Sequence, residues 1–155
     1  MDKFKIENFK TKNPTERFPS FKELDNLKCK KICDEIIMRY GLVCQSSLEM
    51  VRIIDSYQEV VEGLSADNES FKLQGFFNHL DIKPEKNVFI NWYRYDQIDS
   101  ILWDDFVENF DYIWYPSADD IDIFDNTFDW ILSVKHNGVL KILTDRRVLK
   151  YMSPI

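Results

Sequence analysis

Carboxylates dominate the residues of this chain that could do chemistry. The stretch DYIWYPSADDIDIFDNTFDW, Asp111 to Trp130, holds six aspartates and six aromatic rings in twenty residues. A pair such as Asp105 with Glu108, or Asp120 with Asp122, is the arrangement used in acid–base hydrolysis, where surroundings must push the two pKa values apart. Spacing alone supplies no such separation. Asp120-x-Asp122 also opens like a calcium loop, but Asp125 stands where the sixth position needs glycine and Ile131 where the twelfth needs glutamate. No metal is expected there, and surface acids are the plainer reading.

Nucleophilic and phosphate chemistry find less support. The two histidines are His79 and His136, and His136, beside the Asn137-Gly138 dipeptide, reads as a solvent-facing residue at a strand end. There is no Gly-x-Ser-x-Gly and no phosphate-cradling loop among only four glycines. Cys29, Cys33 and Cys44 are odd in number and lack zinc-type Cys-x-x-Cys spacing, so they read as reduced, buried thiols. No catalytic residue, metal or cofactor is expected. A small carboxylate- or metal-dependent hydrolase stands as the enzymatic alternative.

The elements that must position the acids follow from periodicity. At 155 residues, 45% hydrophobic and 15% aromatic, the chain suits a single domain over residues 1–155. Residues 1–19 are polar and interrupted by Pro14 and Pro19, with Phe4, Ile6 and Phe9 anchoring a short strand or loop. Ser20 with Glu23 makes a capping box, and apolar spacing from Phe21 predicts a helix to Tyr40. A second helix is expected from Ser46 or Ser47 to about Gly63, and a short one within residues 69–80.

After Pro84 the character changes. Asn87 to Tyr95 reads as a strand, and Asp96 as the N-cap of a helix ending near Phe110 that exposes Asp104, Asp105 and Glu108 in part. In residues 112–115, Ile113 and Tyr115 alternate against Tyr112 and Trp114, without showing which pair is buried. Alternation in DDIDIF sets Ile121 and Ile123 against Asp120, Asp122 and Phe124; with the isoleucines inward, the two acids face water. Asn137-Gly138 between apolar runs predicts a hairpin over 129–145 with a type I′ turn. The expected fold is α+β: a helical N-terminal half packed on a largely antiparallel β-sheet with one inserted helix.

Charge is unevenly spread. Residues 1–52 carry a net +3, residues 53–80 −4, residues 81–130 −10 and residues 131–155 +4. Direct binding of nucleic acid is disfavoured, because phosphate contacts depend on lysine and arginine. No apolar run is long enough for a signal or membrane span, so a cytosolic protein is expected. The natural partner is a basic protein, unless the acids merely solvate one face, as in a regulatory or scaffold module.

The run from Asp111 to about Lys141, DYIWYPSADDIDIFDNTFDWILSVKHNGVLK, resembles the C-terminal portion of small bacterial toxin-immunity proteins, broadly SUKH-like or of a neighbouring immunity family. That resemblance implies a non-enzymatic inhibitor that binds a cognate toxin domain and blocks its active site. A nuclease toxin has a basic groove, which a locally acidic inhibitor could enter with electrostatic steering. The expected contact residues are Asp104, Asp105, Trp114, Tyr115, Asp119, Asp120, Asp122 and Asp125, with the aromatics as packed anchors.

Overall fold

A computed structural model describes residues 1–144. Among these lie α1 (Lys3–Lys12), β1 (Phe21–Glu23), α2 (Asn26–Tyr40), α3 (Ser47–Tyr57), β2 (Glu59–Ser65), α4 (Leu73–His79), β3 (Asn87–Asn91), β4 (Ile98–Leu102), α5 (Trp103–Glu108), α6 (Phe110–Ile113), β5 (Ile121–Asp125), β6 (Trp130–Val134) and β7 (Val139–Thr144). The strands form one antiparallel sheet in the order β1-β4-β3-β5-β6-β7-β2. The fold is α+β, as expected.

Helices cover both faces of that sheet. On one face Val88, Ile90, Ile123, Leu132 and Ile142 pack beneath α4, α5 and α6, which contribute Phe76, Phe77, Trp103, Phe106, Phe110 and Ile113. On the other, Ile98, Phe124, Ile131 and Leu143 meet Ile32, Ile36 and Tyr40 of α2 and Met50 and Ile54 of α3. Strand β6 is therefore buried at all five positions.

Several boundaries differ from the periodic reading. Asp25, not Ser20, caps α2, accepting the Lys28 N–H at 2.8 Å, while Phe21–Glu23 pairs with β4. The second helix ends at Tyr57, and Val60, Val61 and Leu64, which fit a helical period, lie in the edge strand β2. Ile98 and Ile101 likewise belong to β4, so the helix begins at Trp103, not Asp96, and breaks near Asn109 into α5 and α6. Residues 110–113 are thus helical, with Ile113 and Trp114 both buried, and residues 3–12 form a helix where a strand or loop was expected.

The hairpin of β6 and β7 is present; residue 145, its expected end, lies outside the described residues. Its turn is not type I′. Gly138 has φ +82°, Asn137 does not enter the left-handed region, and the Gly138 N–H donates to the Lys135 carbonyl at 2.8 Å, the pattern of a turn closed by a glycine bulge. A Cβ at residue 138 would also run into Ser65 Oγ and lie 2.6 Å from Asp67 Oδ1, so these two side-chain ends would have to shift.

Phe77 is fully buried, with its ring 4.7 Å from that of Trp103 and 5.0 Å from that of Trp130. Phe77→Ala is expected to destabilise the fold by about 3–5 kcal/mol, read from the midpoint of a denaturant titration at unchanged slope.

Candidate functional site

The eight expected contact residues divide into an inner and an outer set. Trp114 is buried, its Nε1–H donating to the Asp119 carbonyl at 3.0 Å. Asp125 is buried too, its carboxylate accepting the Glu85 N–H at 3.0 Å, the Thr127 N–H at 3.0 Å and the Trp130 indole N–H at 3.1 Å. Both fasten loops to the sheet and are taken off the surface.

Asp122 corrects the alternation argument. Its face of β5 is covered by α2 and α3, so the half-buried carboxyl meets protein side chains where water was expected. Ser133 Oγ and Asn91 Nδ2 contact it, the latter at 3.1 Å, in a row of side chains running across β3, β5 and β6. Gln58 turns its amide nitrogen to the Ile131 carbonyl, 3.2 Å away, and its oxygen lies 2.9 Å from Ser133 Oγ. The single Ser133 hydroxyl proton thus lies between two acceptors, Gln58 Oε1 and Asp122 Oδ1. Burial pushes the Asp122 carboxyl above the usual carboxylate range, against the lowering influence of Ser133, Lys135 and Asn91.

Asn91 also fixes the loop between β3 and β4. Its Oδ1 accepts the N–H of Tyr95 at 2.8 Å, holding that buried aromatic residue at φ +61°, a strained conformation for a bulky side chain. The Tyr95 hydroxyl approaches Asp122 without hydrogen-bond geometry, and burial raises its pKa well above the ordinary tyrosine value.

Asp119 and Tyr115 sit together at the end of α6. Asp119 Oδ2 accepts the Tyr115 N–H at 2.8 Å and forms an ion pair with the buried Lys5. Lys5 Nζ also lies 4.0 Å from the Tyr115 ring centroid. Asp120 is exposed and accepts the His136 N–H at 2.7 Å, with His136 Nδ1 at 3.0 Å. His136 is solvent-exposed at the end of its strand.

Asp104 and Asp105, with the exposed Asp120, form the outer set. Trp103, Phe106, Phe110 and Ile113 point into the core, which leaves Asp104, Glu108 and Asp111 on the outer side at intervals of four and three residues, with Asp105 half-buried beside them. None of these four carboxylates has an ion-pair partner among the described residues. Ending the helix at Phe110 hid Asp111; extending the apolar spacing from Trp103 to Ile113 brings it into register with Asp104. Lys5 and Trp92 carried no sequence signal, because their role comes from packing between distant segments.

The cysteines line a cleft of about 420 Å³ between α2, the start of α3 and the Arg94–Asp96 loop. All three are free thiols, Cys29 is buried, and burial raises Cys33 to about 11, so they are protonated and poor nucleophiles. Among the described residues no three His, Cys, Asp or Glu side chains are grouped to hold a metal ion.

Asp122→Asn tests the raised pKa, since an amide keeps the shape of the carboxyl and stays neutral at every pH. A carboxyl with a raised folded pKa contributes stability that is complete below its unfolded value near 4 and is lost as pH rises through the folded value. Denaturant titrations between pH 4 and 8 should therefore show the wild type losing stability relative to Asp122→Asn as pH rises. Parallel curves would mean that folding does not raise the Asp122 pKa. No family model, curated protein or solved structure matches the chain.

Proposed function

We propose that the chain is a non-enzymatic binding protein of the toxin-immunity kind, acting inside the cell, whose partner is a basic toxin domain, of nuclease type. The observation that carries this reading is the outer side of α5 and α6, where Asp104, Asp105, Glu108 and Asp111 stand without a cation partner among the described residues. Elsewhere in the locally acidic segment Asp81, Glu85, Asp96, Asp120 and Asp129 are also exposed, the last two beside His136 and Arg39, while others are engaged inside the molecule. Asp99 holds the Met1 ammonium, Asp119 holds Lys5, and Asp125 caps a loop.

An unpaired carboxylate row on a helix rooted in a rigid core is suited to long-range attraction of a basic groove. Complementary charge of this kind raises association rates by orders of magnitude at low salt and fades as the Debye length shortens. The same arrangement disfavours the hydrolase alternative: these acids face water with no second group aimed at a shared point. No helix among the described residues is long and apolar enough to cross a membrane.

The tagged chain, incubated in lysate at low salt, is expected to retain one basic protein released as salt rises. That protein's purified toxic activity should be abolished by an equimolar amount of the chain. The combined reversal Asp104→Lys, Glu108→Lys and Asp111→Lys should slow association with it at least tenfold at low salt while leaving thermal stability nearly unchanged. Capture and association rates untouched by the triple reversal would remove α5 and α6 as the binding face.

A further inference from the structure

We propose that Trp92, Tyr115 and Asp119 form a cation cage for a lysine side chain of a basic protein partner, held closed in the free chain by Lys5 of α1. The proposal rests on the partner-binding reading above and gives it a second contact region.

Lysine is almost never fully buried unless paired. Lys5 is only 4% exposed, and its ammonium lies 4.0 Å from the Tyr115 ring centroid and 5.3 Å from that of Trp92, with Asp119 completing an ion pair. Two aromatic faces and one carboxylate around an ammonium are the elements of cation–π recognition, reinforced by a charge-assisted hydrogen bond.

The walls of this cage are set mainly by bonds outside α1. The Trp92 indole N–H donates to Asp99 at 2.8 Å. The Asp119 carboxylate is aimed by the Tyr115 N–H at 2.8 Å, and the Asp119 N–H returns to the Tyr115 carbonyl at 3.1 Å. The Ser117 N–H ties the same turn to the His136 carbonyl at 2.6 Å. Tyr115 alone leans on α1, its hydroxyl accepting from Asn8 Nδ2 at 2.7 Å and its ring standing edge-to-face with Phe4 at 6.4 Å. Lifting α1 would thus leave a preformed site rather than a collapsed one.

The helix that fills the site is held by charge and by one aromatic anchor, Phe9, whose ring lies 5.0 Å from that of Tyr112 and 5.4 Å from that of Phe18. Of its ten residues only Lys5 and Phe9 are buried, and Phe4 is 63% exposed. A second ammonium, that of Met1, sits 2.5 Å from Asp99, so Trp92 stands between the two fastenings. With Lys3, Lys5, Lys10 and Lys12 against Glu7, α1 has the charge pattern expected of a basic partner segment. A partner's lysine entering the cage would replace Lys5 and take over its ion pair with Asp119. Because Lys5 competes for the cage, the free chain binds an outside cation less tightly by the fraction of molecules in which α1 is lifted.

The test uses n-butylammonium, which has the length and charge of a lysine side chain, with the whole chain. Lys5→Ala is expected to bind it saturably and at least tenfold more tightly than the wild type. Uncharged n-butanol should bind at least tenfold more weakly, and adding Asp119→Asn should remove the binding. Lys5→Met, which refills the cage without a charge, should bind neither. In the wild type, n-butylammonium should accelerate amide hydrogen exchange in residues 5–12 and leave β5 and β6 unchanged, a measurement that decides the matter alone if Lys5→Ala does not fold.

Equal weak binding by wild type and Lys5→Ala, no preference for the ammonium over the alcohol, or no acceleration in α1 would overturn the proposal. None of these measurements involves the toxin partner. A failed cage therefore leaves the α5 and α6 charge reversal to be judged separately, and a failed pull-down leaves the cage measured.

Discussion

A sheet covered by helices on both faces has no wet side on which to place the polar residues of its strands. In a one-sided sheet, every second residue can be polar and left to water. Here α2 and α3 close one face while α4, α5 and α6 close the other, so a polar side chain in β3, β5 or β6 must find its partners in the protein. Asn91, Asp122 and Ser133 answer that demand as a cross-strand row completed by Gln58, and Asp125 answers it by gathering loop and indole donors. The loop from Trp92 to Gln97 inherits its geometry from the same row, since Asn91 binds the main chain of both Tyr93 and Tyr95.

The acidic character of the central segment therefore has two separate physical meanings. Where carboxylates lie inside, they act as local fasteners: Asp99 and Asp119 bind ammonium groups, and Asp125 binds N–H donors. Where they lie outside, on α5 and α6, they add an uncompensated field to the surface. A net charge taken over the segment merges the two, and only burial separates them. Asp55 shows an intermediate case: burial would raise its pKa, but bonds from Lys141 and Lys135 outweigh it, and the carboxylate stays below the usual range.

The parts of the fold readable from sequence were those whose signals are local. Asn137-Gly138 marks its hairpin, the cluster of β-branched and aromatic residues marks β3, and the apolar spacing from Leu27 to Ile37 marks α2, with Gly41 at its end in the left-handed region. Short strands whose apolar residues fit both periods were read as helix: Val60, Val61 and Leu64 in β2, and Ile98 and Ile101 in β4. What distinguishes them is a strand partner far along the chain, β7 for one and β1 for the other. The site followed the same rule. Asp104 and Asp105 were visible as surface acids on an amphipathic helix, whereas the inward turn of Asp122, Trp114 and Asp125 depends on a second helical layer that no local pattern announces. Lys5 belonged to a polar N-terminal stretch and met its aromatic partners only through tertiary packing.

The strand order also governs when this fold can form. Among the described residues strands β1 and β2 are the first two in sequence, yet they occupy opposite edges of the sheet, and β2 has β7 as its one strand partner there. During synthesis β2 must wait for residues 139–144 before any of its ladder can close, and α2 and α3 have no finished sheet to cover until β5 and β6 arrive. Loop-closure entropy must be met before these distant pairings give anything back, so folding should be late and concerted rather than progressive from the N-terminus. An interrupted nascent chain would hold its Val60 and Leu64 edge open, the kind of unpaired strand that recruits chaperones or a second unfinished copy.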